Sequence, residues 1–443
     1  MENQRDSIIT LAQQAYIYGF PLVMMYESMR STTNYERPVE NSFFAPVNQF
    51  AHFRTFPDAK FRSMVKPNND TYYSNAWLDL SEEPIVLSVP NTNSRYYLLP
   101  MFDAYTNVFA SPGKRTTGTA AQTFLITGPS FNDDTIPPGM QQIKAPTNMA
   151  WILGRTQVNS PEDGKDVVYA IQDGYHLTPL SRWGNSYQPE PHSVDNGIAL
   201  NAPEFVENMD ISTFFAVLNE QLAKNSPPEA DAPVLAKLAA IGIGPGKKFN
   251  LSAFDNDTQV ALKALPAAVL AQLRGIVTKG GKHENNWGIN RSGVGNYGTD
   301  YLVRAIFALV GLGANLNADA SYPNCQLDSN GERLDGGKNY VLHFKKGQTP
   351  PANAFWSLTI YGPDDFLVDN PIDRYSVGDR SELQYNADGS LNIYIQHLRP
   401  EDARQANWLP SPNGEFSLTM RIYWPKESYL DSIWEIPAIR RLE

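Results

Sequence analysis

Cysteine is almost missing from this chain: Cys325 stands alone among 443 residues. A single thiol excludes an intrachain disulfide framework and any all-thiolate metal site, and it leaves the compartment open. Histidine is scarce as well. The six histidines are scattered, none at ligand spacing, and "HENNW" lacks the second histidine of a zinc helix motif. No Gly-x-Ser-x-Gly elbow occurs, and no dinucleotide fingerprint follows a strand. "GIGPGKKF" lacks the spacing and the Ser/Thr of a phosphate loop. An enzyme on this chain is therefore expected to work with no metal and no nucleotide cofactor. Positive charge is short too. The net charge is −11 and no Lys/Arg cluster offers a phosphate footprint, so nucleic acid is not expected as a partner. Long apolar runs are missing. "AYIYGFPLVMMY" is broken by Gly19 and Pro21, which reads as a packed, kinked helix and not as a membrane span. "MENQRDSIIT" has no basic region ahead of an apolar core, so no signal peptide is read and a cytoplasmic location is expected.

What is present fits a folded protein of two or three domains. Hydrophobic residues make up 42% and charged residues 19%, and 22 Tyr, 33 Pro and 30 Gly favour strands punctuated by turns. Residues 5 to 30 read as helix. From about residue 43 to 180, short strand-like runs such as "PIVLSVP", "SRYYLLPMF", "QTFLITGP" and "MAWILGRTQV" suggest an antiparallel sandwich. Near residue 195 the period changes. "DISTFFAVLNEQLAKN" begins with a capping Asp210, and "ALPAAVLAQLRGIV" and "NYGTDYLVRAIFALVGLGAN" keep helical spacing. From about residue 320 alternation returns in "NYVLHF", "FWSLTIYG", "LNIYIQHL" and "FSLTMRIYW". The reading is multidomain and mainly β with an α-helical middle, divided as 1–192, 193–318 and 319–443.

The stretch "KPNNDTYYSNAWLDL", residues 66 to 80, carries the first candidate chemistry. Ala76, Leu78 and Leu80 share one strand face, and Asn75, Trp77 and Asp79 the other. Followed back by twos, the apolar face meets Ser74, Tyr72 and Asp70. "YYLLPMFDAYTNVF" repeats the pattern, with Asp103, Tyr105 and Asn107 continuing the face of Tyr97, Leu99 and Met101. If the two runs meet at one mouth, their carboxylates hold one pKa up and supply an acid and a base. Arg155, ending "WILGR", then neutralises one of them or binds a ligand carboxylate. A buried Asp–Tyr–Arg network closing the sandwich uses the same residues without chemistry.

A second candidate is "NRSGVGNYGTDYLVRA", where a Gly-rich turn runs into a helix. Its amides could face an anion, with Tyr297 and Arg304 beside it; the plainer reading is an Asp300–Arg304 salt bridge on a helix surface. In the last third, Tyr394 with Gln396, and Arg421 with Tyr423, offer sheet faces able to stack on a sugar or to form an interface.

These runs together resemble a known bacterial family. "NNDTYYSNAWLDL", "RYYLLPMFDAYTN", "SPGKRTTGTAAQTFLITGP" and "WILGRT" resemble domain of unknown function 1254. "GNYGTDYLVRAIFALVGLGAN", "PPANAFWSLTIYG", "NPIDRYSVGDR", "NIYIQ", "NWLPSPNGEF" and "RIYWP" resemble domain of unknown function 1214. The resemblance implies an immunoglobulin-like β-sandwich, then a helical domain, then a C-terminal jelly-roll β-sandwich. It supplies no agreed activity. Many members look exported, and this chain departs from them in lacking a signal.

The expectation is a cofactor-independent acid/base enzyme, a hydrolase or lyase, acting on a small polar or carboxylate-bearing molecule. Asp70 and Asp103 share the acid and base roles, Tyr72 and Tyr105 donate hydrogen bonds, and Arg155, Asn107, Tyr297 and Arg304 bind substrate. The alternatives are a noncatalytic glycan-binding protein and a structural assembly protein. A homo-oligomer is expected, because Tyr and Trp on the strand faces exceed what one sandwich core obviously absorbs.

Overall fold

The computed structural model describes residues 2–132 and 136–442. The chain is multidomain, with strands toward both ends and helices between them.

In the N-terminal part, the strand Thr71–Asp79 pairs antiparallel with Met149–Gln157 along its whole length, from Thr71 opposite Gln157 to Asp79 opposite Met149. Met101–Asp103 pairs with the other edge of Met149–Gln157. One face of this sheet packs on a four-stranded sheet of His176–Pro179, Ile85–Val89, Gln122–Thr127 and Gln141–Lys144. Ala76, Leu78, Leu87, Phe124, Ile126 and Ile152 fill the space between them. The arrangement is not wholly antiparallel, since Gln122–Thr127 and Gln141–Lys144 run parallel.

The alternation in residues 66 to 80 predicts a half-buried strand, and the structure buries both faces. Asn75 and Trp77 are each only 2% exposed. Trp77 stacks on Trp151 at 4.9 Å, and Trp151 Nε1 donates to Asn75 Oδ1 at 2.6 Å. The cover is the helical layer, which shares one apolar cluster with both tryptophans. Removing such a ring from water contributes about 3 kcal/mol, so this face holds helices and sheet together.

The helix Glu2–Thr33 runs through Pro21. Ala12, Ala15, Tyr16, Phe20, Leu22 and Val23 on it are fully buried. It packs on Ile211–Lys224, Asn256–Lys279 and Tyr301–Val310, and so joins the helical body although the division drawn from sequence puts it with the sandwich. The approach is close at Gly19, where a Cβ would lie 2.5 Å from a Leu218 methyl. Arg5–Thr33 and Asn256–Thr278 are long and apolar enough to cross a membrane by length and composition, the test that core helices also pass.

In the C-terminal part, Ser417–Pro425 and Ala352–Tyr361 form the centre of a seven-stranded sheet. It packs on a four-stranded sheet of Trp408–Pro410, Leu391–Gln396, Tyr340–Phe344 and Ile439–Arg441. Leu342, Trp356, Leu358, Ile393, Leu418, Met420 and Ile422 lie between them. The short strands His283–Glu284 and Trp287–Gly288 belong to the larger sheet, although the sequence places them in the helical third.

The outer face of Ser417–Pro425 is also covered. Ser417, Thr419, Arg421 and Tyr423 are all buried, and Arg421 and Tyr423 meet Lys66 and Tyr96 of the N-terminal part. Trp77, Trp151, Trp287, Trp356, Trp408 and Trp434 are buried as well. Most of the tryptophans that suggested an oligomer are thus absorbed between layers of a single chain, while Trp183 and Tyr385 stay exposed.

Candidate functional site

The two Asp-x-Tyr runs do not meet. Asp103 lies opposite Ala150 on the strand Met149–Gln157, whereas the Asp70 carbonyl accepts from Val158 N just past its other end. Eight strand residues separate those positions, roughly 26 Å at about 3.3 Å per residue. The chain crosses to Ile85–Val89 in the facing sheet before returning, and the two runs lie parallel on either side of Met149–Gln157, so matching patterns end at opposite ends of one sheet. Tyr72 leaves both groups. It packs with Val158, Val168, Phe56 and Tyr169, and burial first, then Tyr169, Asp163 and Glu162, push its phenol up to about 12.

The structure does bring together Asp103, Tyr105, Asn107, Tyr297 and Arg304, between sheet and helices. Asp103 Oδ1 accepts from the amides of Tyr105 and Asn107, both at 2.8 Å. Asn107 Oδ1 accepts from Tyr297 N at 3.1 Å, which ties this turn to the Gly-rich turn. The Tyr105 hydroxyl donates to the Asn225 carbonyl at 2.8 Å. Arg304 neither lies on a surface nor pairs with Asp300, whose carboxylate caps the helix by accepting from Val303 N at 3.1 Å. Arg304 is 1% exposed, sits 3.6 Å from Asp231, and lies over the rings of Tyr105 and Tyr301. This cluster is enclosed and joins elements far apart in sequence, as a scaffold does.

Burial pushes Asp103 up to about 6, against the hydrogen bonds of Asn107 and Tyr105 and the charge of Arg304, which pull it down. Its folded-state pKa therefore lies above the unfolded value of about 3.9. The stability it contributes is full below about pH 4 and lost as pH rises through 6, a difference of about 3 kcal/mol. Asp103→Asn keeps an oxygen for both amides and does not titrate. The gap between the variant's and the parent's urea midpoints should widen in the variant's favour from pH 4 to pH 7. A gap that stays constant with pH would refute the assignment.

Asp70 and Arg155 belong to a different place, the seam between the N-terminal sandwich and the C-terminal sheet. The sequence "PNND" makes it. Asn68 Oδ1 accepts from the amides of Asp70 and Thr71, both at 2.9 Å, and so bends the chain just before the strand. Asp70 then crosses the seam to Arg380, with which it forms a salt bridge, and accepts from Ser357 Oγ at 2.6 Å. Its partner is Arg380 and not Arg155. Arg380 and Ser357 lie in the runs "NPIDRYSVGDR" and "PPANAFWSLTIYG" that carry the family resemblance, but no strand or helix period singles either of them out.

Arg155 and Arg421 face the same seam, both buried, and among the described residues neither forms a salt bridge. Arg155 Nη1 donates to Asn315 Oδ1 at 2.9 Å and to the Leu153 carbonyl at 3.2 Å. Its guanidinium lies 5.2 Å from the Tyr73 ring centroid. Arg421 donates to Thr359 Oγ1 at 2.8 Å, to the Tyr361 hydroxyl at 2.6 Å and to the Lys66 carbonyl at 2.8 Å. Tyr73 and Tyr423 stand near Arg155, and Tyr322 near both arginines. Tyr423 also neighbours Arg421.

Burial raises Tyr423 well above the ordinary phenol value, with Tyr322 and Asp70 adding to it, and burial raises Tyr322 too. Both phenols therefore keep their protons. The Tyr423 hydroxyl, on a residue 1% exposed, has no hydrogen-bond partner among the described residues. Buried guanidinium groups without carboxylates are costly, and neutral phenols beside them are donors. Two such cations with donor hydroxyls between them suit an anion. Among the described residues no group of three His, Cys, Asp or Glu is placed to hold a metal ion.

A wide surface trough of about 580 Å³ lies elsewhere, on Ala199, Leu200, Phe205 and Met209. Its acidic residues are spent on helix ends: Asp210 caps Ser212 N and Thr213 N, and Glu204 accepts from Asn201. No constellation for chemistry forms there.

Comparison with known proteins agrees with the two-part organisation. Residues 47–179 match the model described as protein of unknown function (DUF1254), and residues 319–427 match protein of unknown function (DUF1214). No protein with curated function matches the sequence. The crystal structure of the VPA0106 protein from Vibrio parahaemolyticus is similar over 98% of this chain and 100% of its own, with 26% identity and a TM-score of 0.73. An uncharacterised protein from Burkholderia cenocepacia aligns over 100% of this chain and 96% of its own, with 11% identity and a TM-score of 0.45.

Proposed function

Because the chain belongs to the two-part family in which a DUF1254 region precedes a DUF1214 region, we propose that its ligand site is the seam between those regions, and that the ligand is a small carboxylate-bearing molecule. The observation that carries the reading is the pair of buried arginines, Arg155 and Arg421, neither with a carboxylate partner among the described residues, facing shared phenols. The arginines hold the carboxylate, and Tyr423 donates to it. Asp70, already engaged by Arg380 and Ser357, balances charge and positions the seam.

Turnover without a cofactor, as a hydrolase or lyase, is a second reading. It is favoured by the seam phenols that donate to no group among the described residues, Tyr423 and Tyr322, the latter accepting from Asn315 Nδ2 at 2.6 Å. It no longer draws on an Asp70–Asp103 pair. The glycan-binding reading loses Arg421 and Tyr423, which turn inward. The immunoglobulin-like and jelly-roll assignments and a cytoplasmic location belong to the same proposal.

Calorimetric titration with acetate, succinate and benzoate tests the anion site. The expected result is saturable binding by at least one of them. Arg155→Met should weaken it about tenfold or more, because a charge-assisted hydrogen bond is worth about 1.5 to 3 kcal/mol. The variant strands no carboxylate but removes the donor to Asn315 Oδ1 and the Leu153 carbonyl, so its melting temperature should fall modestly while the fold is kept. Binding that is absent, or indifferent to Arg155, overturns the reading.

A further inference from the structure

A narrow apolar slot lies beside the arginine seam, and Tyr73 belongs to both. Its ring carries Arg155 at 5.2 Å, and it also forms a wall of the slot with Phe43, Phe53, Phe61 and Met64. The rings are set edge to face or tilted. Phe43 lies 4.6 Å from Phe53 and 5.6 Å from Tyr73, and Phe53 lies 6.0 Å from Phe61. Such edges and faces receive another flat ring well, since aromatic pairs prefer these geometries over a face-to-face sandwich. We propose that the slot takes the aromatic body of the ligand, so that the substrate class is a small aromatic monocarboxylate with its carboxylate toward Arg155. This rests on the anion reading of the seam and adds to it the ligand's apolar half.

The slot has a free volume of about 20 Å³, room for roughly one water. Entry of a ring therefore moves a wall, and the Phe61 to Met64 side is held by side-chain contacts of Arg62, to the Ala59 carbonyl and the Phe366 ring, more than by backbone pairing. Phe61 and Met64 hang from a stretch in which Arg62, Ser63 and Val65 are exposed. Among the described residues, Arg62 to Val65 make no backbone hydrogen bond to the rest of the chain. The stretch ends at Lys66, a non-glycine residue at φ 48°. The Lys66 carbonyl accepts from Arg421, and the Pro67 carbonyl accepts from the Tyr361 hydroxyl at 2.7 Å. The second arginine thus holds the end of the wall that must open, and a ligand anion drawing on Arg421 competes with that hold.

The test is calorimetric titration of the full chain with benzoate and with acetate, repeated on Phe61→Ala and Met64→Ala. Benzoate should bind at least tenfold more tightly than acetate. Each variant should erase most of that preference while leaving acetate affinity and melting temperature near the parent's. Two variants are used so that one misfolded protein does not decide the matter. If both anions bind equally and both need Arg155, the seam reading survives and the aromatic class is overturned. If benzoate is preferred but neither variant alters the preference, the slot is overturned as its cause. If neither anion binds, the seam reading falls and this inference falls with it.

Discussion

Asp231→Ala should lower the unfolding free energy by about 3 to 5 kcal/mol, the cost of leaving a buried cation unpaired. The cation is Arg304. Both side chains of the pair are 1% exposed, at 3.6 Å. Asp231 also accepts from the Tyr301 hydroxyl at 2.9 Å, so the substitution strands a phenol as well. Several polar atoms here have no hydrogen-bond partner among the described residues: Arg304 Nε and Nη1, Asp231 Oδ2 and the Tyr18 hydroxyl. The network is already under-satisfied and has little to fall back on. Adding Arg304→Leu to Asp231→Ala removes the stranded charge, and the double variant should recover most of the loss. Urea denaturation of the single and double variants checks this. A single variant within about 1 kcal/mol of the parent, or a double variant no better than the single, would show that the pair does not hold these helical elements together.

Asp70→Asn should cost about 3 kcal/mol, toward the low end for a broken buried pair. The amide preserves shape and can still accept from Ser357. It cannot balance Arg380, which lies over the Phe355 ring at 4.2 Å and is left with Asp379, 3.9 Å away, as its carboxylate. Arg380 keeps its hydrogen bond to the Val158 carbonyl at 2.6 Å and is 19% exposed, which moderates the loss. Because Asp70 and Arg380 stand on opposite sides of the seam, the loss should appear as a lower melting temperature and faster proteolysis between the two parts. An unchanged melt together with lost ligand binding would make Asp70 a ligand-contacting residue and not a strut.

These two substitutions separate what each Asp-x-Tyr run could and could not reveal. The runs are real features of strand faces, and each places its aspartate where a face leaves the aliphatic core. Alternation reports which residues share a face, but not what covers the end of it. Asp70 meets Arg380 across 310 residues of chain, and no local pattern encodes that distance. Asp103 instead closes its own turn within four residues, and a buried Asx turn of this kind looks the same in sequence as a catalytic carboxylate.

Arg155 was legible as a residue able to hold an anion, because an arginine closing an aliphatic strand run is costly unless something answers it. Its companion Arg421 was legible only as one of a polar row with Tyr423. The row reads either as a sugar-stacking face or as an interdomain or intersubunit contact, because alternation does not say what covers a polar face. The N-terminal part covers that face and makes the row a buried one.

The sequence by itself determined the order of strands, helices and strands, the two-part family, and the apolar faces Ala76–Leu78 and Leu418–Met420–Ile422 that build the cores. These are local: period and turn chemistry are written within each segment, and side-chain direction follows from backbone geometry. Only the tertiary structure decided that Asp70 and Asp103 stand at opposite ends of a sheet and that Arg304 is buried against Asp231. It alone brought Arg155 and Arg421 to one seam. Those outcomes depend on which layer covers which face. That is set by the summed burial of large apolar surfaces across the whole chain, and a polar side chain carried along with its strand cannot announce it in advance.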